Sequence, residues 1–278
     1  MNNKIISLSI LCAISYSAIA QAQAVEEVIV TATKTERTLQ EVPVAVSVVT
    51  ADTIEKANVV DLLDLKAVVP SLDARQYQST TNATFFIRGF GNGSNNPGVE
   101  PSVAVFVDGV YRSKIQGQLS DLPMLERIEV LRGPQSTLFG KNASAGVVNI
   151  VTKKPSFENF GKATFEVGDF NSKVAKVYYT GPVNDSLAYS FSANVNQRDG
   201  QSNNPTTGNK LNDRDRFGYR AEFLFSPADD FSARLTFDYD EFDEICCVVG
   251  STSYGAANQV IALLGGKVIP DDPFSQSA

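Results

Sequence analysis

Between Phe157 and Asp240 the chain alternates apolar and polar residues with a period of two, and no other feature restricts its fold as strongly. Ala163, Phe165 and Val167 oppose Lys162, Thr164 and Glu166, and Ala175, Val177 and Tyr179 flank Lys176. Leu187, Tyr189, Phe191, Ala193 and Val195 interleave with Ser186, Ser190, Ser192, Asn194 and Asn196. Phe217, Tyr219, Ala221, Phe223 and Phe225 interleave with Arg216, Arg220 and Glu222; Phe231, Ala233, Leu235, Phe237 and Tyr239 interleave with Ser232, Arg234, Thr236 and Asp238. A period of two is the signature of a strand with one apolar face. A soluble sandwich shows it too, but three features favour a membrane barrel. Aromatic residues recur on the apolar face, and Ser186 to Gln197 reaches the roughly 9–11 residues that a tilted spanning strand needs. The connections also have two sides: the long one, Arg198 to Asp213, falls on one, and the short turns Gly181 to Asp185 and Ser226 to Asp230 on the other.

Composition narrows the function. Histidine is absent, which excludes Ser-His-Asp and Cys-His catalysis and His-ligated zinc or haem, and tryptophan is absent too. The net charge of −7 does not suit a nucleic-acid partner. Residues 1–155 hold 14 basic and 14 acidic side chains and residues 156–278 hold 10 and 17, so the acidic excess lies in the second part and a boundary falls near Pro155. Met1 to Lys4 is a short basic leader, Ile5 to Ala20 an uncharged apolar run, and Ala20-Gln21-Ala22 and Ala22-Gln23-Ala24 read as small-x-small cleavage sites, so residues 1–24 are expected to be a signal peptide. Cys12 is an ordinary apolar member of that run; beyond it only the adjacent Cys246 and Cys247 remain, and pairing, free thiols and an external bridge all stay open.

After the leader, Glu26 to Thr33 is a β-branched run with nothing obvious to pair with, and so a candidate either for strand addition to a partner's sheet edge or for the first strand of its own domain. Val44 to Val49 reads as a buried strand, with Thr50 or Asp52 capping a short helix that Glu55 helps close. Asp61 to Lys66 reads as helical, ended by Val68, Val69 and Pro70. Thr84 to Arg88 and Val103 to Val107 read as strands, Leu122 to Leu125 as a helical piece, and Ile128 to Leu131 and Val147 to Thr152 as strands. Asp108-Gly109 between Phe106-Val107 and Val110-Tyr111 is a hairpin signal. Gly89 to Gly98 is a Gly- and Asn-rich loop lacking the helix that a dinucleotide fingerprint requires. The acids Asp238, Asp240, Glu241, Asp243 and Glu244 lack calcium-loop spacing and read as solvated or lumen-facing; Ala256 to Leu264 is a candidate helix in an external loop.

Several of these segments, in order, carry a resemblance: Glu27 to Ala32, Ile87-Arg88-Gly89-Phe90, Val105 to Val110, Arg127-Ile128-Glu129-Val130-Leu131-Arg132-Gly133-Pro134 through Gly140, and Gly146 to Ile150. Over about 130 residues the chain resembles the plug domain of TonB-dependent outer-membrane receptors. The resemblance implies an α+β plug followed by antiparallel strands of a transmembrane β-barrel, with the box and linker at 25–41, the plug at 42–155 and opening barrel strands at 156–278. It implies that Glu27, Val28, Ile29, Val30, Thr31 and Ala32 form the TonB box, the strand offered to TonB in the periplasm. It places Arg88 and Arg132 where plug arginines meet barrel acids, and Gly91, Asn92, Gly93, Ser94, Asn95 and Asn96 at the apex facing the ligand.

The function so implied is active uptake of a scarce nutrient complex across the outer membrane of a Gram-negative bacterium, with a ferric siderophore as the default ligand and glycan, haem or cobalamin as alternatives. The partners are TonB, outer-membrane lipid and that small molecule, with no catalytic residue, cofactor or metal site. The different-class rival is an exported soluble β-rich binding protein or enzyme. Only a few residues separate Ala24 from Glu27, so no signalling domain is expected before the box. Five strands cannot close even the smallest barrel of about eight, so the barrel is expected to be incomplete: an N-terminal piece whose reading frame continues past Ala278.

Overall fold

The computed structural model describes residues 29–31, 34–35, 37–76, 82–92, 98–113, 121, 124–204, 207–246 and 255–265. The proposed leader, Glu27, Val28, Ala32, Gly93 to Asn96, Leu122 and Cys247 lie outside them. In chain order the first elements are β1 (Ile29–Val30), β2 (Arg37–Thr38), β3 (Val46–Thr50), α1 (Ala51–Lys56), β4 (Leu72–Gln76), β5 (Ala83–Ile87), β6 (Val103–Val107) and β7 (Val110–Tyr111). They continue with β8 (Leu125–Arg132), α2 (Ser136–Phe139), β9 (Gly146–Thr152), β10 (Phe160–Gly168), β11 (Ser172–Asn184), β12 (Leu187–Arg198), β13 (Ser202–Asn203) and β14 (Lys210–Leu211). The last are β15 (Arg214–Ala228), β16 (Phe231–Phe242) and α3 (Ala256–Leu263).

The α+β part is built on the sheet β3-β8-β9-β6-β7, in which only the β6 and β9 pairing is parallel. Both faces of this sheet are covered. On one, Leu62, Leu65, Phe85, Ile87, Ile128 and Ile150 form the larger apolar cluster; on the other, Val30, Val42, Phe106, Leu131, Phe139 and Val147 form the second. Covered faces explain why β6 and β9 read as continuous apolar runs instead of alternating. Asp108 and Gly109 take φ of 50° and 82°, the left-handed pair that a two-residue hairpin demands.

Local expectations are met unevenly. Thr50, not Asp52, caps α1, accepting the Thr53 N–H at 3.4 Å, and Glu55 bonds Lys162 of β10 instead of closing the helix. The stretch expected to be helical from Asp61 gives only a short 3₁₀ turn at Asp64–Ala67, because the Asp64 carboxylate accepts the N–H groups of Val60 and Asp61 and the Asp61 carboxylate that of Leu63. Leu125 opens strand β8 instead of closing a helical piece. Strand β4, with the mixed sequence Leu-Asp-Ala-Arg-Gln, carries no strong strand signal of its own; its pairing with β5 supplies the order.

The second sheet runs β10-β11-β12-β15-β16, each strand antiparallel to the next, and it is open. Its strands outrun the expected segments: β11 continues to Asn184 and β15 to Ala228, which tightens the turns at one end. The polar face is the buried one. Phe165 and Val167 are 76% and 88% exposed, whereas Thr180, Arg216 and Glu222 on the opposite face are 0%, 2% and 3% exposed. That inversion of a soluble protein's order is what a lipid-facing wall requires. Cross-strand Tyr219 and Tyr239 stack at 5.4 Å between ring centroids on the outer face. Phe223→Arg, outward near the middle of β15, is expected to lower stability by about 2–4 kcal/mol in lipid, read from urea unfolding in vesicles.

Candidate functional site

The α+β domain meets the strand wall through buried charges that originate in turns on one side and on the polar strand face on the other. The hairpin residue Asp108 accepts from Thr152 N and Oγ1 at 2.9 and 2.7 Å, which aims its carboxylate at the wall. There it meets Arg220 at 2.8 Å and Arg234 at 3.2 Å. Asp61 and Asp121 form an isolated antiparallel bridge, and Arg216 Nη1 lies 2.9 Å from a carboxylate oxygen of each. Arg214 reaches Asp61 at 3.2 Å, Asn196 donates to Asp121 at 3.1 Å, and Glu244 closes the ring on the other edge of the Arg216 guanidinium. Burial pushes the Glu244 carboxyl up from its ordinary range, against the pull of Arg216. Arg112 to Asp238 at 3.5 Å and Lys162 to Glu55 at 2.6 Å complete the seam.

None of Asp61, Asp108, Asp121, Arg214 or Arg216 stands out in the sequence as a site. Arg214, Arg216, Arg220 and Glu222 nevertheless share one parity of β15, the face that the alternation turns inward, and that ladder of charge was the available signal. Asp108 was visible, but only as a turn former. The acids after Phe237 divide as solvated and lumen-facing ones: Asp238 and Glu244 are held by arginines, whereas Glu241 lies exposed on the outer face, where it accepts from Tyr239 Oη at 3.0 Å. No group of three or more metal-ligating side chains stands among the described residues.

The sequence-predicted residues fall into three places. Ile29 and Val30 pair antiparallel with Arg37 and Thr38, Ile29 half-exposed and Val30 fully buried. Thr31 N and Oγ1 donate to Glu129 Oε1 at 2.8 and 3.1 Å. In this structure the segment is therefore a strand of its own domain, the alternative that its pattern had left open. Arg88 and Arg132 contact no wall carboxylate among the described residues. Arg88 sits exposed at φ 54° with its N–H on Ser71 O, and the buried Arg132 Nε has no hydrogen-bond partner among the described residues. At this part of the wall most pairs put the acid on the α+β side and the cation on the strands, with Arg112 to Asp238 of the opposite sense.

At the glycine-rich loop, Gly91 is required by a close approach, since a Cβ there would lie 2.5 Å from Phe85 O. Asn92 Nδ2 donates to Glu100 O at 2.7 Å and so ties the two ends of the loop together. Glu100 also binds Lys141, at 2.8 Å, holding the ammonium above its usual range. Cys246 is disulfide-bonded.

A globular α+β body seated by buried ion pairs on the polar face of an outward-apolar antiparallel sheet defines a plugged membrane barrel, of which the sheet here is a portion. Residues 38–147 match the family described as the TonB-dependent Receptor Plug Domain, so this part of the chain is such a plug. It is 32% identical over 197 residues to the pesticin receptor of Yersinia pestis, spanning 69% of this chain and 29% of that protein. It is 28% identical over 224 residues to the vitamin B12 transporter BtuB of Vibrio vulnificus, spanning 78% and 35%. Among solved structures it is similar to the ferric yersiniabactin uptake receptor FyuA of Yersinia pestis, with a TM-score of 0.67 and 28% identity over 71% of this chain and 31% of that one. The chain thus spans about a third of the length of the proteins it matches.

Proposed function

We propose that the chain is the plug and opening wall of an outer-membrane receptor that imports a scarce nutrient complex, a ferric siderophore, with energy delivered through TonB. The observation that carries this reading is the seam of buried ion pairs: a plug docked on charged wall residues fills the lumen, so a solute passes only when the plug is remodelled. Glu27 to Ala32 is the strand given to TonB, because main-chain pairing supplies affinity with little demand on side chains. The plug loop from Gly91 to Asn96 faces the ligand, and Arg88 and Arg132 meet wall acids; the buried, unpartnered Arg132 Nε supports a partner beyond the described strands. The siderophore assignment is supported by the pesticin and yersiniabactin receptors among the similar proteins. Cobalamin is the second reading, favoured by the similarity to BtuB.

The test is growth of iron-starved and cobalamin-dependent cells whose only receptor of this kind is this one, supplied in turn with ferric siderophores and cobalamin. Growth on at least one ferric siderophore, and none on cobalamin beyond the receptor-free control, is the expected result. Cobalamin-only growth selects the second reading, and growth on neither overturns both.

A further inference from the structure

The first described strand and the residues that follow it are held by four unlike contacts, and together they describe a latch. Val30 is fully buried beside Val42, Phe106, Leu131, Phe139 and Val147. One ladder edge of Ile29–Val30 is taken by Arg37–Thr38 of the same chain. Thr31 gives its N–H and hydroxyl to Glu129, and the Lys34 ammonium lies 4.7 and 4.6 Å from the ring centres of Phe106 and Phe139.

Glu129, like Val30, is fully buried. It sits on β8, inside the plug sheet between β3 and β9, with Arg127 Nε at 2.8 Å and Asn149 Nδ2 at 3.1 Å. Those two donors belong to the plug and stay when Thr31 leaves, so the carboxylate is never orphaned and the docking is reversible. A charge-assisted bond to a backbone N–H is nonetheless among the stronger ones available.

We propose that Glu129 is a positioning residue which sets how often the N-terminal segment is released, and that Arg37–Thr38 stand in for the partner's strand until then. This rests on the reading of Glu27 to Ala32 as the TonB-binding strand. A partner that pairs with Ile29–Val30 displaces Arg37–Thr38 from the ladder and breaks the Thr31–Glu129 bonds; affinity for the partner is lowered by the strength of both contacts.

The test places a cysteine at the buried position, Val30→Cys, and follows its maleimide labelling in outer-membrane vesicles opened to the periplasmic side. Glu129→Ala and, from the other partner, Thr31→Pro are expected to raise the labelling rate about tenfold or more, the range of one hydrogen bond to a charged group. Glu129→Gln keeps an acceptor for the Thr31 N–H and is expected to give a smaller rise. Ile29→Cys, already half-exposed, is expected to change little. If Glu129→Ala does not assemble, Thr31→Pro alone decides. Labelling in the assembled variants within about twofold of that of Val30→Cys alone, with Glu129 and Thr31 intact, overturns the proposal. If labelling rises yet Val28→Pro leaves uptake intact, the latch stands and the TonB reading of the segment falls.

Discussion

Arg216→Ala is expected to loosen the plug from the wall by about 3–5 kcal/mol, the loss that follows when one side of a buried ion cluster is removed. The guanidinium has carboxylate oxygens of Asp61 and Asp121 each at 2.9 Å and Glu244 on its far edge, and these side chains are essentially without solvent. Taking the cation away leaves three acids facing one another in a place where water cannot replace it. The loss therefore comes mainly from stranded charge, and the cluster's own net contribution is small. Exchanging the whole cluster separates the two effects: Arg216→Met combined with Asp61→Asn, Asp121→Asn and Glu244→Gln is expected to be neutral or stabilising by about 1–4 kcal/mol. Urea midpoints followed by heat-modifiable migration, with protease cleavage of the plug as a second reading, measure both. Equal losses in the single and the combined variant would mean that the side chains matter only through packing.

Val28→Pro is expected to abolish accumulation of ligand while leaving surface binding unchanged, because proline removes one ladder donor from the strand proposed to pair with TonB. Val30→Pro is the weaker choice, since Val30 is buried in the plug's second apolar cluster and its replacement disturbs the docked segment as well. Parallel measurement of bound and accumulated ferric siderophore on the same cells checks the result. Uptake at the parent rate in Val28→Pro would sink the box assignment.

The wall was the most legible part of the molecule. A period of two with phenylalanine and tyrosine on one parity leaves a strand few alternatives, and strands β10, β11, β12, β15 and β16 all lie where the alternation put them. The plug hairpin at Asp108-Gly109 was equally legible, because few residue pairs accept two left-handed conformations in succession. Strand β4 was not legible: Leu72 and Ala74 beside Asp73 and Arg75 are too short an alternation to mark a strand, and its order comes from β5. The plug–wall junction escaped for a related reason. Asp61 and Asp121 are 60 residues apart in the chain and Arg216 is nearly 100 further on, so nothing local marks them as partners. The N-terminal segment was read correctly as a strand former, but sequence pattern does not say whether a strand pairs in cis or with a partner, and Glu129 looked like one more alternating residue of β8.

The most direct test of the account compares surface binding with accumulation of an iron-loaded siderophore in cells making the receptor, with the inner-membrane proton gradient intact and then collapsed. Binding that is unchanged while accumulation falls to the level of receptor-free cells is the predicted result. Accumulation that continues at the same rate after the gradient is collapsed, or when TonB is deleted, would contradict it.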